Sequence, residues 1–142
     1  MKKLLIAAII SLSSVTTAAV AEVKVGIILG FTGPIESLTP AMRDGARMAF
    51  DEASNSGNLL GGETFTILEA DSTCVDSAAA TAAAEQLVAD GVAAIMGADC
   101  SGVTGAVNAN VAVPNGVLMV SPSATSPGLS KIADNGTFWR TA

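Results

Sequence analysis

Residues 92–102 read Val-Ala-Ala-Ile-Met-Gly-Ala-Asp-Cys-Ser-Gly, an apolar run that halts at a glycine and turns at once small and polar. Val92 to Met96 has the length and bounding residues of a strand buried on both faces, and Gly97 to Gly102 is the loop that leaves it. Val103 to about Val113 then predicts a helix, ended by Pro114 and Asn115-Gly116. Strand, loop, helix: the same order recurs on both sides of this stretch.

Upstream, Val23 to Leu29 is apolar and β-branched and is closed by Gly30, which predicts a first buried strand. After the loop Gly30-Phe31-Thr32-Gly33-Pro34, Thr39-Pro40 predicts an N-cap with proline at the first helical position. Met42, Ala46, Ala49 and Ala53 then recur on one helical face, and Asn55 to Gly62 supplies turn residues. Thr64 to Ala70 predicts a second strand. A loop with Cys74 follows, then Asp76 as cap to an alanine-rich helix over Ser77–Asp90, stopped by Gly91. Downstream come a fourth strand, Val117–Val120, the polar loop Ser121–Ser126, a short helix over Pro127–Ala133 and a fifth strand over Thr137–Thr141.

Such short alternation implies right-handed βαβ units and a doubly wound, parallel α/β sheet. Ligands of these sheets bind at the carboxyl ends of the strands. Three loops lie there: Gly30–Pro34, Gly97–Gly102 and Ser121–Ser126, and they concentrate glycine, serine and threonine.

The residues argue against an enzyme. With no histidine and no tyrosine, Ser-His and Cys-His nucleophilic schemes are absent. Gly26, Gly30 and Gly33 are wrongly spaced for a dinucleotide loop, and no Gly-Lys-Ser/Thr follows any loop. Asp71, Asp76 and Asp99 read as caps and solvated loop ends rather than as a cation cluster, and two thiols without histidine make a poor metal site. No cofactor is implied. The loops instead offer neutral hydrogen bonding: Ser101 at a helix start, with Ser123 and Thr125 on the neighbouring edge, suits a carboxylate held without chemistry. Simple N-capping is the competing reading for Ser101.

The first residues predict export. Lys2 and Lys3 precede the apolar run Leu4–Ile10, and a polar stretch leads to Ala19-Val20-Ala21, a small-x-small cleavage site before Glu22. The run is too short to span a bilayer core, which takes about 20 residues. The whole chain carries 7 basic and 13 acidic residues, net −6; the leader holds two lysines and no acid, so residues 22–142 carry −8. That excess, without a basic cluster, argues against nucleic acid and anionic lipid as partners. Cys74 and Cys100, an even pair in an exported chain, are a candidate disulfide, with two buried thiols as the alternative.

Five features occur in order: Phe31-Thr32-Gly33-Pro34, the Cys74 to Cys100 spacing, Gly97-Ala98-Asp99-Cys100-Ser101, Ser121-Pro122-Ser123-Ala124-Thr125-Ser126-Pro127 and Phe138-Trp139-Arg140-Thr141. Together they resemble the branched-chain amino acid (leucine/isoleucine/valine) binding proteins of ABC importers, which have the type I periplasmic binding fold. The resemblance implies two α/β lobes that close on a ligand. Residues 22–142 would then be a partial N-terminal lobe, with the second lobe absent from this chain. It implies that Ser101 binds the ligand carboxylate and that Ser123, Ala124 and Thr125 form a second contact loop. In that loop the Ser123 carbonyl meets the ligand ammonium, and Thr125 meets both carboxylate and amine. It also implies periplasmic capture of a small amino acid for delivery to a membrane permease. Where the family often carries an aromatic over the bound side chain, this sequence has Leu38, which leaves side-chain preference open toward amides or urea. The same lobe pair also serves as the sensory domain of signalling receptors.

Overall fold

The computed structural model describes residues 22–59 and 61–142. The leader expected over residues 1–21 lies outside the described residues. Five strands form one sheet: β1 (Glu22–Leu29), β2 (Thr64–Asp71), β3 (Ala94–Gly97), β4 (Leu118–Ser121) and β5 (Phe138–Arg140). All neighbours are parallel, in the order β2-β1-β3-β4-β5. The chain steps outward from β1 to β2, then returns past β1 to β3, so the order reverses between β1 and β3. In a doubly wound sheet the crevice above that reversal is where ligands collect.

Helices lie on both faces. α1 (Thr39–Asn55) covers one, while α2 (Ser77–Ala89) and α3 (Ser101–Val107) cover the other. β1 is therefore enclosed on both sides, which is why Val25 to Leu29 is apolar without alternation and wholly buried. α2 turns Ala80, Ala84 and Leu87 inward, one helical face of mostly small residues that lets it lie close to the sheet. A Cβ on Gly26 would come within 2.9 Å of Leu87 Cδ1, so the absence of a side chain there sets the approach. Asp76 caps α2 as the sequence predicts, its Oδ1 accepting from the Ala78 and Ala79 amides at 2.9 and 3.0 Å.

Several boundaries differ from expectation. Leu38, not Thr39, stands at the N-cap of α1. Thr39 is fully buried as the first helical residue, and its hydroxyl donates to the Glu36 carbonyl at 3.1 Å, closing the preceding turn. The third helix begins earlier than Val103, at Ser101. It runs through a π-helical turn, Asn108–Ala112, into α4 (Val113–Asn115). Pro114 does not end it; it lies directly after the π-helical turn, inside α4. Gly116, left-handed at φ +64°, is the stop. The segment Pro127–Lys131 is a 3-10 turn rather than an α-helix.

The two sheet faces are unequally covered. Ile28, Ile95, Met119 and Phe138 pack under α2 and α3 in the main core. On the α1 side, Leu118 and Trp139 are exposed, and a crevice of about 300 Å³ is lined by Ala46, Ala49, Phe50, Met96, Leu118 and Val120. Among the described residues no helix is long and apolar enough to cross a membrane.

Candidate functional site

The loops after β1, β2, β3 and β4 meet at the carboxyl edge, and Asp99 joins them. It lies two residues past β3, is 2% exposed, and accepts from three directions. The Gly30 amide donates to Oδ2 at 2.8 Å, while the Ser72 hydroxyl and the Cys100 amide donate to Oδ1 at 3.2 and 2.9 Å. Its backbone carbonyl accepts from the Ser123 hydroxyl at 3.0 Å. One residue thus bridges the β1–β3 reversal and reaches the loop after β4. The sequence reading of Asp99 as a solvated loop end is corrected: it is a buried acceptor. Three donors around one carboxylate replace the water it loses on burial.

Asp71 does similar work nearer the surface. Burial by itself pushes its carboxyl up. The Thr32 hydroxyl and the backbone N–H groups of Thr73, Thr32 and Phe31 outweigh that and hold it below the usual carboxylate value. The loop so held also carries Gly33, at φ +97°, whose Cβ would lie 2.5 Å from the Thr73 carbonyl oxygen, so only glycine fits. Cys74 and Cys100 are joined by a disulfide that ties the β2 loop to the residue before Ser101. The three acids Asp71, Asp76 and Asp99 are each bonded to donors of their own.

Ser101 is the first residue of α3, with Cys100 at the N-cap. Its hydroxyl does not cap the helix; it accepts from the Ser126 amide at 3.0 Å and so draws the β3 and β4 loops together. An oxygen that accepts there keeps its own proton to donate. In the β4 loop, Ser123 is half-buried with its hydroxyl on Asp99, Ala124 is fully buried, and Thr125 is exposed at the rim. The buried Ala124 amide donates to Ser121 Oγ at 3.1 Å, which fixes the turn beneath Thr125. Leu38 is 56% exposed at the head of α1. It lies one turn before Met42, whose sulfur is 4.0 Å from Ser123 Oγ. Ser101 and the Ser123–Thr125 segment thus share one edge, with Leu38 at its α1 end. The arrangement offers hydroxyl and amide donors.

Residues 22–141 match the family model described as periplasmic binding protein. The chain belongs to that family. Its members are binding proteins for solutes rather than enzymes. The chain is 35% identical to the Leu/Ile/Val-binding protein BraC3 of Rhizobium johnstonii over 111 residues, 78% of this chain and 29% of the relative. It is 31% identical to the leucine-specific-binding protein of Salmonella typhimurium over 129 residues, 91% of this chain and 34% of the relative. Among solved structures, the branched-chain amino acid transporter substrate-binding protein LivJ of Streptococcus pneumoniae, in complex with isoleucine, superposes with a TM-score of 0.74. That similarity comes at 30% identity and covers 84% of this chain and 33% of that one. The chain therefore spans about a third of the length of these periplasmic binding proteins.

The family features quoted from the sequence coincide with the loops at the carboxyl edge and with the end of β5. The sequence names Ser101 and the β4 loop as candidates, and they share this edge, but it does not point to Asp99 as the residue that joins the four loops. The signal was an acid between Ala98 and the cysteine, just past the end of a buried strand. Nothing in its polarity distinguished it from a solvated cap.

Proposed function

We propose that residues 22–142 are the first part of a two-lobed periplasmic protein that captures a small amino acid for an ABC importer. A branched-chain amino acid is the favoured cargo. The observation that carries this reading is the meeting of Ser101 with the Ser123-Ala124-Thr125 loop at the carboxyl edge, beside the β1–β3 reversal. Neutral donors there suit a carboxylate that must be held and released unchanged, and the names of the relatives point to the same class of solute. Ser101 would give its hydroxyl proton to the carboxylate, and Thr125 would share the head group, with the Ser123 carbonyl toward the ammonium. Leu38, at the rim, would lie against the far end of the side chain. The leader over residues 1–21 would direct export, and a membrane permease would receive the cargo.

The test is calorimetric titration of the mature full-length protein that carries this segment. Leucine, isoleucine and valine are to be compared with urea and a simple aliphatic amide. Saturable one-to-one binding of at least one branched-chain amino acid is expected. Binding of urea or the amide with no response to any amino acid would refute the cargo assignment and leave the family intact.

A further inference from the structure

The motif Phe138-Trp139-Arg140-Thr141 has no part in the ligand contacts above, yet its last two residues grip the β4 loop from behind. Arg140 Nη1 carries two hydrogens. It donates to the Ala124 carbonyl at 3.0 Å and to the Ser126 carbonyl at 2.9 Å, the two carbonyls that bracket Thr125. Its Nη2 donates to Ser130 Oγ at 2.6 Å. Thr141 adds its amide to the Ser121 carbonyl at 3.1 Å and its hydroxyl to the Pro122 carbonyl at 3.0 Å. Four carbonyls of the loop, from Ser121 to Ser126, are thereby held by two consecutive residues at the end of β5. No carboxylate lies within ion-pair distance of Arg140 among the described residues. Its guanidinium faces backbone carbonyls instead.

We infer that Arg140 is the positioning residue of the ligand-contact loop: with Nη2 anchored on Ser130, Nη1 fixes the carbonyls on either side of Thr125 and so aims Thr125 and the Ser126 amide. The inference rests on the proposed ligand site. A rigid fork with donors in one plane spans these acceptors, whereas a lysine ammonium is a single point on a flexible stem. On the front of the loop, the Ser126 amide is bound by Ser101 Oγ. The loop is thus pinned from both sides, and Arg140 sets where Ser101 and Thr125 stand relative to each other.

The experiment uses the mature full-length protein with Arg140→Lys, which keeps the charge, and Arg140→Gln, which keeps amide donors without it. Each is made alone and combined with Thr125→Ala. Two readouts apply: leucine affinity by calorimetry, and amide hydrogen exchange at Ser126 with Val120 in β4 as internal control. Both substitutions should weaken leucine binding about tenfold or more and speed Ser126 exchange by a similar factor, with Val120 unchanged. In the Thr125→Ala background each should cost less affinity than it does alone, since part of the effect acts through Thr125. Unchanged Ser126 exchange in both variants would overturn the inference. So would full additivity with Thr125→Ala, or affinity kept by Arg140→Lys and lost only by Arg140→Gln, which would make charge rather than the fork responsible. If the unaltered protein binds no amino acid, the cargo reading fails by itself. Ser126 exchange then decides the positioning role: accelerated supports it, unchanged ends it.

Discussion

Asp71 shows how a single side chain stiffens the edge of the site. Its carboxylate accepts from the Thr32 amide at 3.3 Å, the Thr73 amide at 2.8 Å and the Thr32 hydroxyl, so the β1 and β2 loops hang on one charge. Those donors favour the ionised form and hold its pKa down in the folded protein. A group depressed in this way contributes its stability above the unfolded value, about 3.9, and loses it as pH falls through the folded value. Asp71→Asn should therefore melt below the unaltered protein at pH 7, and the gap should close as pH drops below about 4. Melting curves at pH 7 and pH 3 check this; a gap that stays constant would mean that the charge of Asp71 is not what the loop donors favour. Ser101, Thr125, Ser123, Ala124 and Leu38 were all legible as candidates, because small polar residues after a buried strand stand out. The support beneath them was not. Asp99 and Arg140 work through backbone partners 69 and 14–16 residues away, and no local pattern announces such a partner.

At the scale of elements, the five strands were legible in number and order, and α1 and α2 in type, because buried parallel strands and alanine-rich helices carry strong periodic signals. Ends were less so. Thr39 has the chemistry of an N-cap, yet its hydroxyl closes the turn from Glu36, so the cap position moved back to Leu38. The helix expected to begin at Val103 begins at Ser101; neither Ser101 nor Gly102 carries an apolar side chain that would mark it as part of the helical face. The unequal faces of β4 and β5 also have a consequence. Leu118 and Val120 share a face with Trp139 across a parallel pairing, and α1 leaves Leu118 and Trp139 exposed. Residues 22–142 expressed alone should therefore bind a hydrophobic dye and self-associate as concentration rises, since an apolar surface of this kind seeks cover. Sedimentation and dye fluorescence test it. A monodisperse, dye-silent monomer would show that this face is protected in some other way.

Across the whole molecule, one edge of the sheet gathers the disulfide, the Asp99 junction, the Ser101–Ser126 link and the Arg140 grip. The opposite edge carries ordinary turns such as Gly91 and Gly116. This asymmetry is what a doubly wound sheet predicts, with rigidity placed where a ligand must be met by groups already in position. Family membership, legible from motifs in register, agrees with it. In the proposed site, Ser101 and Thr125 together clamp the carboxylate of an amino acid. Calorimetry of the mature full-length protein with Ser101→Ala and with Thr125→Ala tests it most directly. Loss of a hydrogen bond to a charged group costs about 1.5–3 kcal/mol, so each variant should bind its branched-chain amino acid more than about tenfold more weakly. Ser101→Ala should also lower the melting temperature slightly, because it frees the Ser126 amide. Unchanged affinity in both variants would contradict the clamp.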